Sequence, residues 1–316
     1  MGPLYYQNEE QYTKSPLDIL NKEDASSIQK LIVLNDGRIL LNTKQSYYVF
    51  NKDNYKKIDI KFKNNSLYGY ALSEISNRII IDNGSNLIEL KDKFHKIFIG
   101  LKYTTIGTAL KLSNGLIVVS GYENNNAAMP SLIHFCELNK KEKKLKIVDT
   151  IKLKSQLILD ICQVNSNMIM VYGGEPYGSK RTLKFYDIKN KKLITEVMQS
   201  VSIDRLFTYP KMFGNDLLLV GNNNKVDIFN VNKGFTYQSI KTCDKYVMNR
   251  FLILNEHHFI CGDNAGNIYV FEVDKENIKM KNKFKAHDQY IEGLEKYKDN
   301  IIITCSQEEV KFWEIL

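Results

Sequence analysis

An all-β architecture of seven consecutive small sheets is the fold class this sequence predicts, and three observations carry it. First, apolar residues alternate with period two in short runs rich in Val, Ile, Phe and Tyr, and no helical, roughly 3.6-residue apolar stripe persists for three turns. Second, a dyad of an apolar or aromatic residue followed by a polar one recurs inside strand-like runs. Its copies are Phe50-Asn51, Leu90-Lys91, Cys136-Glu137, Tyr186-Asp187, Phe229-Asn230, Phe271-Glu272 and Trp313-Glu314, in steps of 40 to 50 residues. Third, each interval holds several strand runs separated by turn residues. Repeats of that length built from short strands are the signature of propeller blades. At about forty residues per blade, seven blades consume a chain of 316 residues as one domain.

The elements follow in order. Residues 1–16 are polar and tyrosine-bearing and are expected to form an extended arm. Leu17–Leu20 stands where an outer strand belongs, and the last repeat has three strands before the chain stops. The N-terminal strand is therefore expected to close the last blade, so that no long sheet edge stays open. The domain then spans residues 17–316.

The first repeat has strands at Lys30–Leu34, Arg38–Asn42, Tyr47–Asn51 and Lys57–Phe62, with Asn35-Asp36-Gly37 as a hairpin turn that needs a positive φ. The second has Leu67–Leu72, Arg78–Ile81, Asn86–Leu90 and Lys96–Leu101, and the third Thr105–Leu112, Gly115–Ser120, Ser131–Leu138 and Leu145–Leu153. The fourth has Leu157–Val164, Met168–Tyr172, Thr182–Ile188 and Leu193–Met198, and the fifth Asp204–Tyr209, Asp216–Gly221, Val226–Val231 and Phe235–Lys241. The sixth has Val247–Leu254, His258–Gly262, Asn267–Val273 and Ile278–Phe284. The seventh has Ile291–Tyr297, Asn300–Ser306 and Val310–Leu316. Trp313, the one tryptophan, sits in the last of these and is expected in the core.

The segment Gly262–Val273 (GDNAGNIYVFEV) and the Ala286-His287 pair ahead of the last copy resemble the WD-repeat family. There a Gly-His pair opens the repeat and a Trp-Asp pair closes the third strand. The resemblance runs over nearly the whole chain; Tyr186-Asp187 keeps an aromatic followed by Asp, and His287 keeps the histidine. It implies a structural role for His287, hydrogen-bonded within its own blade to Ser306, with Trp313 beyond. It also implies loops sorted onto two faces. The long second-to-third-strand loops, Gly121–Pro130 and Gly173–Arg181, would stand together on the top face. The lysine clusters fall mostly in third-to-fourth-strand loops on the bottom face: Lys140, Lys141, Lys143, Lys144, Lys191 and Lys192, with Lys52 to Lys57 and Lys91 to Lys96.

The formal charge of +8 comes almost wholly from lysine, beside much Asn and Ile, and reads first as compositional bias. Nucleic-acid readers lean on arginine for bidentate contacts, so a lysine excess points weakly to such a partner. The five cysteines are widely spaced, form no C-x-x-C pair and mostly lie in strands, as small buried hydrophobes do in a reducing compartment. No apolar signal-like region or long apolar run is present, so the expectation is an intracellular protein of cytoplasm or nucleus without a membrane span.

Catalytic and metal signals fail on context. Gly173 to Lys180 carries Ser179-Lys180 where a phosphate loop needs Lys before Ser or Thr, and a strand follows rather than a helix. His257 and His258 are adjacent in a strand, so they point to opposite faces and cannot share one ion. His95 and His134 stand alone. Acids such as Asp216, Asp227, Asp263 and Glu272 belong to separate repeats, although a propeller can gather distant residues at its axis. No catalytic residue, cofactor or metal is assigned.

The expected function is therefore a non-enzymatic scaffold, a subunit of a larger complex. It would bind a peptide or partner domain through Tyr122, Met129, Glu175, Tyr177, Lys180, Arg181, Arg205, Tyr246 and Tyr290, since tyrosine and arginine anchor interfaces. The alternatives are an RNA- or chromatin-associated propeller using the lysine face, and an enzyme with a site in the axial channel.

Overall fold

The computed structural model describes residues 28–43, 46–51, 57–63, 72–76, 78–81, 86–91, 95–99, 105–122, 131–142, 144–153, 157–174, 180–200, 209–242, 248–275, 277–298 and 300–314. Among them there is no helix. The first sheet is β1 (Ile28–Val33), β2 (Ile39–Thr43), β3 (Ser46–Phe50) and β4 (Lys57–Lys63). The second is β5 (Ser73–Ser76), β6 (Ile79–Ile81), β7 (Asn86–Leu90) and β8 (His95–Ile99). The third is β9 (Thr105–Lys111), β10 (Ile117–Tyr122), β11 (Ser131–Asn139) and β12 (Lys144–Leu153). The fourth is β13 (Leu157–Asn165), β14 (Met168–Gly174), β15 (Lys180–Asp187) and β16 (Leu193–Ser200). The fifth is β17 (Lys211–Phe213), β18 (Leu217–Asn222), β19 (Lys225–Asn230) and β20 (Thr236–Lys241). The sixth is β21 (Met248–Asn255), β22 (His258–Asp263), β23 (Asn267–Asp274) and β24 (Asn277–Lys285). The seventh is β25 (Gly293–Lys298), β26 (Ile301–Cys305) and β27 (Val310–Glu314). Each sheet runs in chain order, and the ladders within them are antiparallel. Seven such meandering sheets make a seven-bladed β-propeller.

The repeat is visible in the registers. Each dyad lies at or within three residues of the end of the third strand of its sheet. In six of the seven sheets its first residue faces an apolar partner on the second strand: Ile39 with Phe50, Ile117 with Cys136, Ile169 with Tyr186, Leu218 with Phe229, Phe259 with Phe271 and Ile302 with Trp313; in the second sheet the Leu90 amide meets the Arg78 carbonyl. On the fourth strand it faces Lys57, His95, Ile147, Leu193, Tyr237 and Met280 in the first six sheets. An apolar side chain is wanted at the dyad because these sheets pack face to face, as the third and the last do on both sides.

Two compact units are distinguished, Met1–Asn64 with Asp216–Leu316, and Asn65–Asn215. In the first, Ile28, Leu31, Ile39, Leu41, Tyr48 and Phe50 pack with Tyr297, Ile303, Cys305, Val310 and Phe312. On the other face of the last sheet, Trp313, Leu294 and Ile302 pack with Ile260, Ile268, Val270 and Phe284. Trp313 thus lies in the core, its ring centroid 5.0 Å from that of Phe284. In the second unit, Ile75, Ile79, Ile81 and Leu87 pack with Ala109, Ile117, Val119, Cys136 and Leu145. Ile133, Phe135, Ile151 and Leu153 pack with Ile158, Ile161, Ile169, Val171, Tyr186 and Ile188.

His287 is buried and hydrogen-bonded, but to Thr304 rather than to the expected Ser306. Its Nε2 lies 2.7 Å from Thr304 Oγ1, and its Nδ1 2.7 Å from Glu309 Oε1. Trp313 Nε1 donates to the same Thr304 oxygen at 2.8 Å. The Glu309 carboxylate accepts, so the ring donates from Nδ1; in the neutral ring Nε2 then accepts the Thr304 O–H, while the Thr304 oxygen accepts the indole N–H. Ser306 instead caps the following turn, its hydroxyl accepting the amides of Glu308 and Glu309 at 3.3 Å each. Thr304 and Ser306 lie two apart and share parity, but β26 has ended by Ser306; Thr304 is still on the ladder, diagonal to Trp313, whose direct partner is Ile302.

Asp263 is a second buried hub. One carboxylate oxygen accepts the amides of Ala265 and Asn267 at 2.9 and 2.8 Å, and the other accepts Asn267 Nδ2 at 2.7 Å and the Tyr269 hydroxyl at 2.9 Å. Its backbone oxygen takes the amide of Ile291 at 3.2 Å, fastening the segment that leads into β25. Gly266 (φ 84) completes this turn, and a Cβ there would come 2.0 Å from the His287 carbonyl oxygen.

Two first strands are described beyond the predicted runs. In the second sheet it is Ser73–Ser76; of the expected Leu67–Leu72 only Leu72 is described, and it lies outside a strand. The polar stretch Ser73–Ser76 becomes a strand by pairing with the buried Ile79–Ile81, and Ile75 is its buried residue. In the fifth sheet the first described strand is Lys211–Phe213; of the expected Asp204–Tyr209 only Tyr209 is described, and it lies outside a strand. Pro210 precedes Lys211 and has no N–H for a ladder, so pairing starts beyond it. The arm over residues 1–16 and the closing strand Leu17–Leu20 lie outside the described residues.

Candidate binding surface

Of the loop residues expected to bind a partner, Met129, Glu175, Tyr177, Arg205 and Tyr246 lie outside the described residues. Tyr122 ends β10 and Lys180 begins β15. Arg181 is half-buried on β15, opposite Gly174 and Gln199. Tyr290 is half-buried in the segment between β24 and β25. Arg181 and Tyr290 fall in different units.

The lysine turns of the second unit are better placed. Lys140 and Lys141 are exposed in the turn between β11 and β12, and Lys144 is exposed at the start of β12; Lys143 is outside the described residues. Asn139 shapes that turn by accepting the amides of Lys141 and Glu142 at 3.0 and 3.1 Å. Lys192 is exposed between β15 and β16. Lys191 does not belong to an open basic face. It adopts φ 57 and is half-buried. Its ammonium reaches Asp149 at 3.7 Å, stands 4.3 Å above the Phe135 ring, and donates to the Ile188 carbonyl. A lysine in the left-handed region persists because these contacts hold it; it pins the β15–β16 turn to β12.

A second feature, not foreseen from the sequence pattern, is a set of solvent-facing apolar residues between these lysines. Ile147 and Val148 are each 43% exposed, Leu193 49% and Ile194 53%. Two bulges explain them. On β12 the register steps from Cys136–Ile147 to Phe135–Asp149, so Val148 is extra. On β16 it steps from Tyr186–Leu193 to Phe185–Thr195, so Ile194 is extra. A bulge leaves one residue unpaired and swaps the faces beyond it. Ile147 therefore shares the face of Cys136 and Leu145, toward the second sheet. Asp149 shares that of Phe135, toward the fourth, as do Lys144 and Lys146, which pair with Asn139 and Glu137. Leu193 shares the face of Tyr186, toward the third sheet. Lys144, Lys146, Asp149, Lys191 and Leu193 thus line the same seam between two sheets, with Val148 and Ile194 on its outer edge.

Chemistry is otherwise quiet among the described residues, where no group of three or more His, Cys, Asp or Glu is placed to hold a metal ion. Burial pushes the Cys136 thiol up to about 12 and the Cys305 thiol higher, so neither is a nucleophile at neutral pH. His134 Nδ1 lies 2.6 Å from Thr150 Oγ1, and burial holds its ring below the ordinary value. His258 is lowered by burial too and meets Asn255 Oδ1 at 3.1 Å, while His257 is exposed, 3.5 Å from Glu256. Half-buried Glu292 is raised by burial, opposed by the Arg250 charge and by a 3.2 Å bond from Gln307. No described helix is long and apolar enough to cross a membrane.

Compared with known proteins, this fold belongs to the class of β-propellers. It is similar to the crystal structure of the computationally designed Ika8 protein, at 11% sequence identity and a TM-score of 0.59, covering 92% of this chain and 97% of that one. No family model matches the chain, and no curated protein matches it in sequence.

Proposed function

We propose that this propeller is a non-enzymatic interaction scaffold that binds a partner protein, as a subunit of a larger intracellular assembly. The observation that carries the reading is the set of large apolar side chains facing solvent on its outer strands, among exposed lysines. Apolar groups displayed on a rigid sheet surface cost free energy in water and gain it when a partner covers them. The hydrogen-bonded set of His287, Thr304 and Trp313 supports counting the chain among the WD-repeat-like propellers. The loops 121–130 and 173–181 remain a second docking surface in this reading, with Arg181 at the edge of one of them. Affinity purification of the tagged chain, compared with Tyr177→Ala/Arg181→Glu, tests this. A partner recovered in stoichiometric yield supports the scaffold, and its loss in the variant assigns it to the loops. Absence of any such partner refutes the scaffold.

A second reading is association with RNA or chromatin, favoured by exposed Lys140, Lys141, Lys144 and Lys146. It requires binding that weakens steeply with salt, by roughly tenfold or more between about 50 and 200 mM, and that is lost on neutralising these lysines. Salt-independent binding, or unchanged binding by the neutralised variant, removes it.

A further inference from the structure

We infer that the seam between β12 and β16 docks an acidic partner segment that carries apolar side chains. This rests on the scaffold reading and deepens it. Three features of the second unit converge there. The bulge residues Val148 and Ile194 stand outside their ladders, and Leu193 faces the third sheet while remaining about half exposed. The Lys191–Asp149 ion pair, together with the Phe135 ring under Lys191, brings the β15–β16 turn onto β12. Val148 is the neighbour of Asp149, and Leu193 lies two residues from Lys191, so the apolar side chains flank one fixed joint.

Charge selects the occupant. Exposed Lys140, Lys141, Lys144, Lys146, Lys189 and Lys192 surround the joint, against exposed Glu137, Glu142 and Glu196, the last paired with Lys184, and with Asp149 already paired. A segment placing Leu or Val between Asp or Glu residues satisfies both features, covering Val148, Leu193 and Ile194 while its carboxylates meet the lysines. Nucleic acid has no use for the apolar residues, and arginine is absent from the seam. An anionic bilayer would have to take Glu137, Glu142 and Asp149 with it, and the seam offers none of the exposed Trp or Tyr that anchor at lipid interfaces.

The test uses the full chain and fluorescence anisotropy with three labelled peptides: one alternating Glu and Leu, one alternating Lys and Leu, and one alternating Glu and Ser. The Glu/Leu peptide is expected to bind at least about tenfold tighter than either control. Lys144→Glu/Lys146→Glu should weaken it by roughly tenfold, and Val148→Ser/Ile194→Ser by a similar factor, with circular dichroism and melting close to wild type because all four residues are exposed. Equal binding of the Glu/Leu and Glu/Ser peptides, no binding of either, or unchanged binding by both variants overturns the inference. So does binding of phosphatidylserine vesicles or single-stranded RNA that outcompetes the Glu/Leu peptide. If a co-purifying partner stays bound to both seam variants, the scaffold stands and the seam assignment falls. If the wild type brings down no partner, the scaffold itself falls.

Discussion

Trp313 donates its indole N–H to the hydroxyl oxygen of Thr304 at 2.8 Å, and both residues are buried. That contact ties the third strand of the last sheet to the second, and the same Thr304 hydroxyl meets His287 Nε2 at 2.7 Å. Thr304→Val keeps the shape and removes both bonds. It should lower stability by about 2–4 kcal/mol, because the indole N–H and an imidazole nitrogen lose their partner in a dry site. Thr304→Ser should cost much less. Urea titrations of the two variants followed by Trp313 fluorescence check this, and an equal loss in both would refute the polar account.

Asp263 accepts four hydrogen bonds within its turn while fully buried. Asp263→Ala should cost at least about 3 kcal/mol, since two backbone amides and two side-chain donors are left unpaired. Gly266→Ala should also destabilise, because its Cβ meets the His287 carbonyl in a backbone conformation unfavourable to alanine. Thermal melting by circular dichroism measures both. Gly115→Ala is the control: it shares the positive φ of 89 but has open space around it, so its loss should be smaller.

Acid should weaken the protein through His134. Its folded-state pKa lies below the ordinary value because burial disfavours the cation. The unfolded chain therefore binds the extra proton first. The stability from keeping this ring neutral is complete above the unfolded value of about 6.5 and is lost as pH falls toward the folded one. Melting temperatures of wild type and His134→Gln between about pH 7.5 and pH 5 should converge on acidification, wild type falling more. Parallel curves would exclude His134 as the cause.

Lys191 and Lys192 are neighbours in one turn with opposite expected behaviour. Lys191 is engaged with Asp149, Phe135 and a carbonyl, and Lys192 is exposed. Lys191→Ala should cost about 1 kcal/mol, from the loss of a partly exposed ion pair and of a cation over a ring. Lys192→Ala should stay within about 0.5 kcal/mol of wild type. Chemical denaturation resolves the two.

Period-two alternation and the dyad spacing were enough to place the seven sheets, since blades covered on both faces demand apolar residues at fixed ladder positions: Ile117 opposite Cys136, Ile302 opposite Trp313. The loops chosen for partner binding were legible only as length and composition. Arg181 and Tyr290, the described members of that set whose burial is known, fall in different units. The exposed apolar seam was not legible at all, because Val148 and Ile194 read as ordinary alternating strand residues until the bulges remove them from the ladder.

What the amino-acid order determined by itself is the all-β class, the number of sheets and the burial of Trp313, because these follow from local alternation and its recurrence. Only the tertiary structure decided that His287 pairs with Thr304 and that Lys191 is held where Lys192 stays in water. The tertiary structure also set Leu193 toward the third sheet while Ile147 faces the second. Each of these depends on one residue of register, and register is set by the neighbouring strand rather than by the sequence of the strand itself.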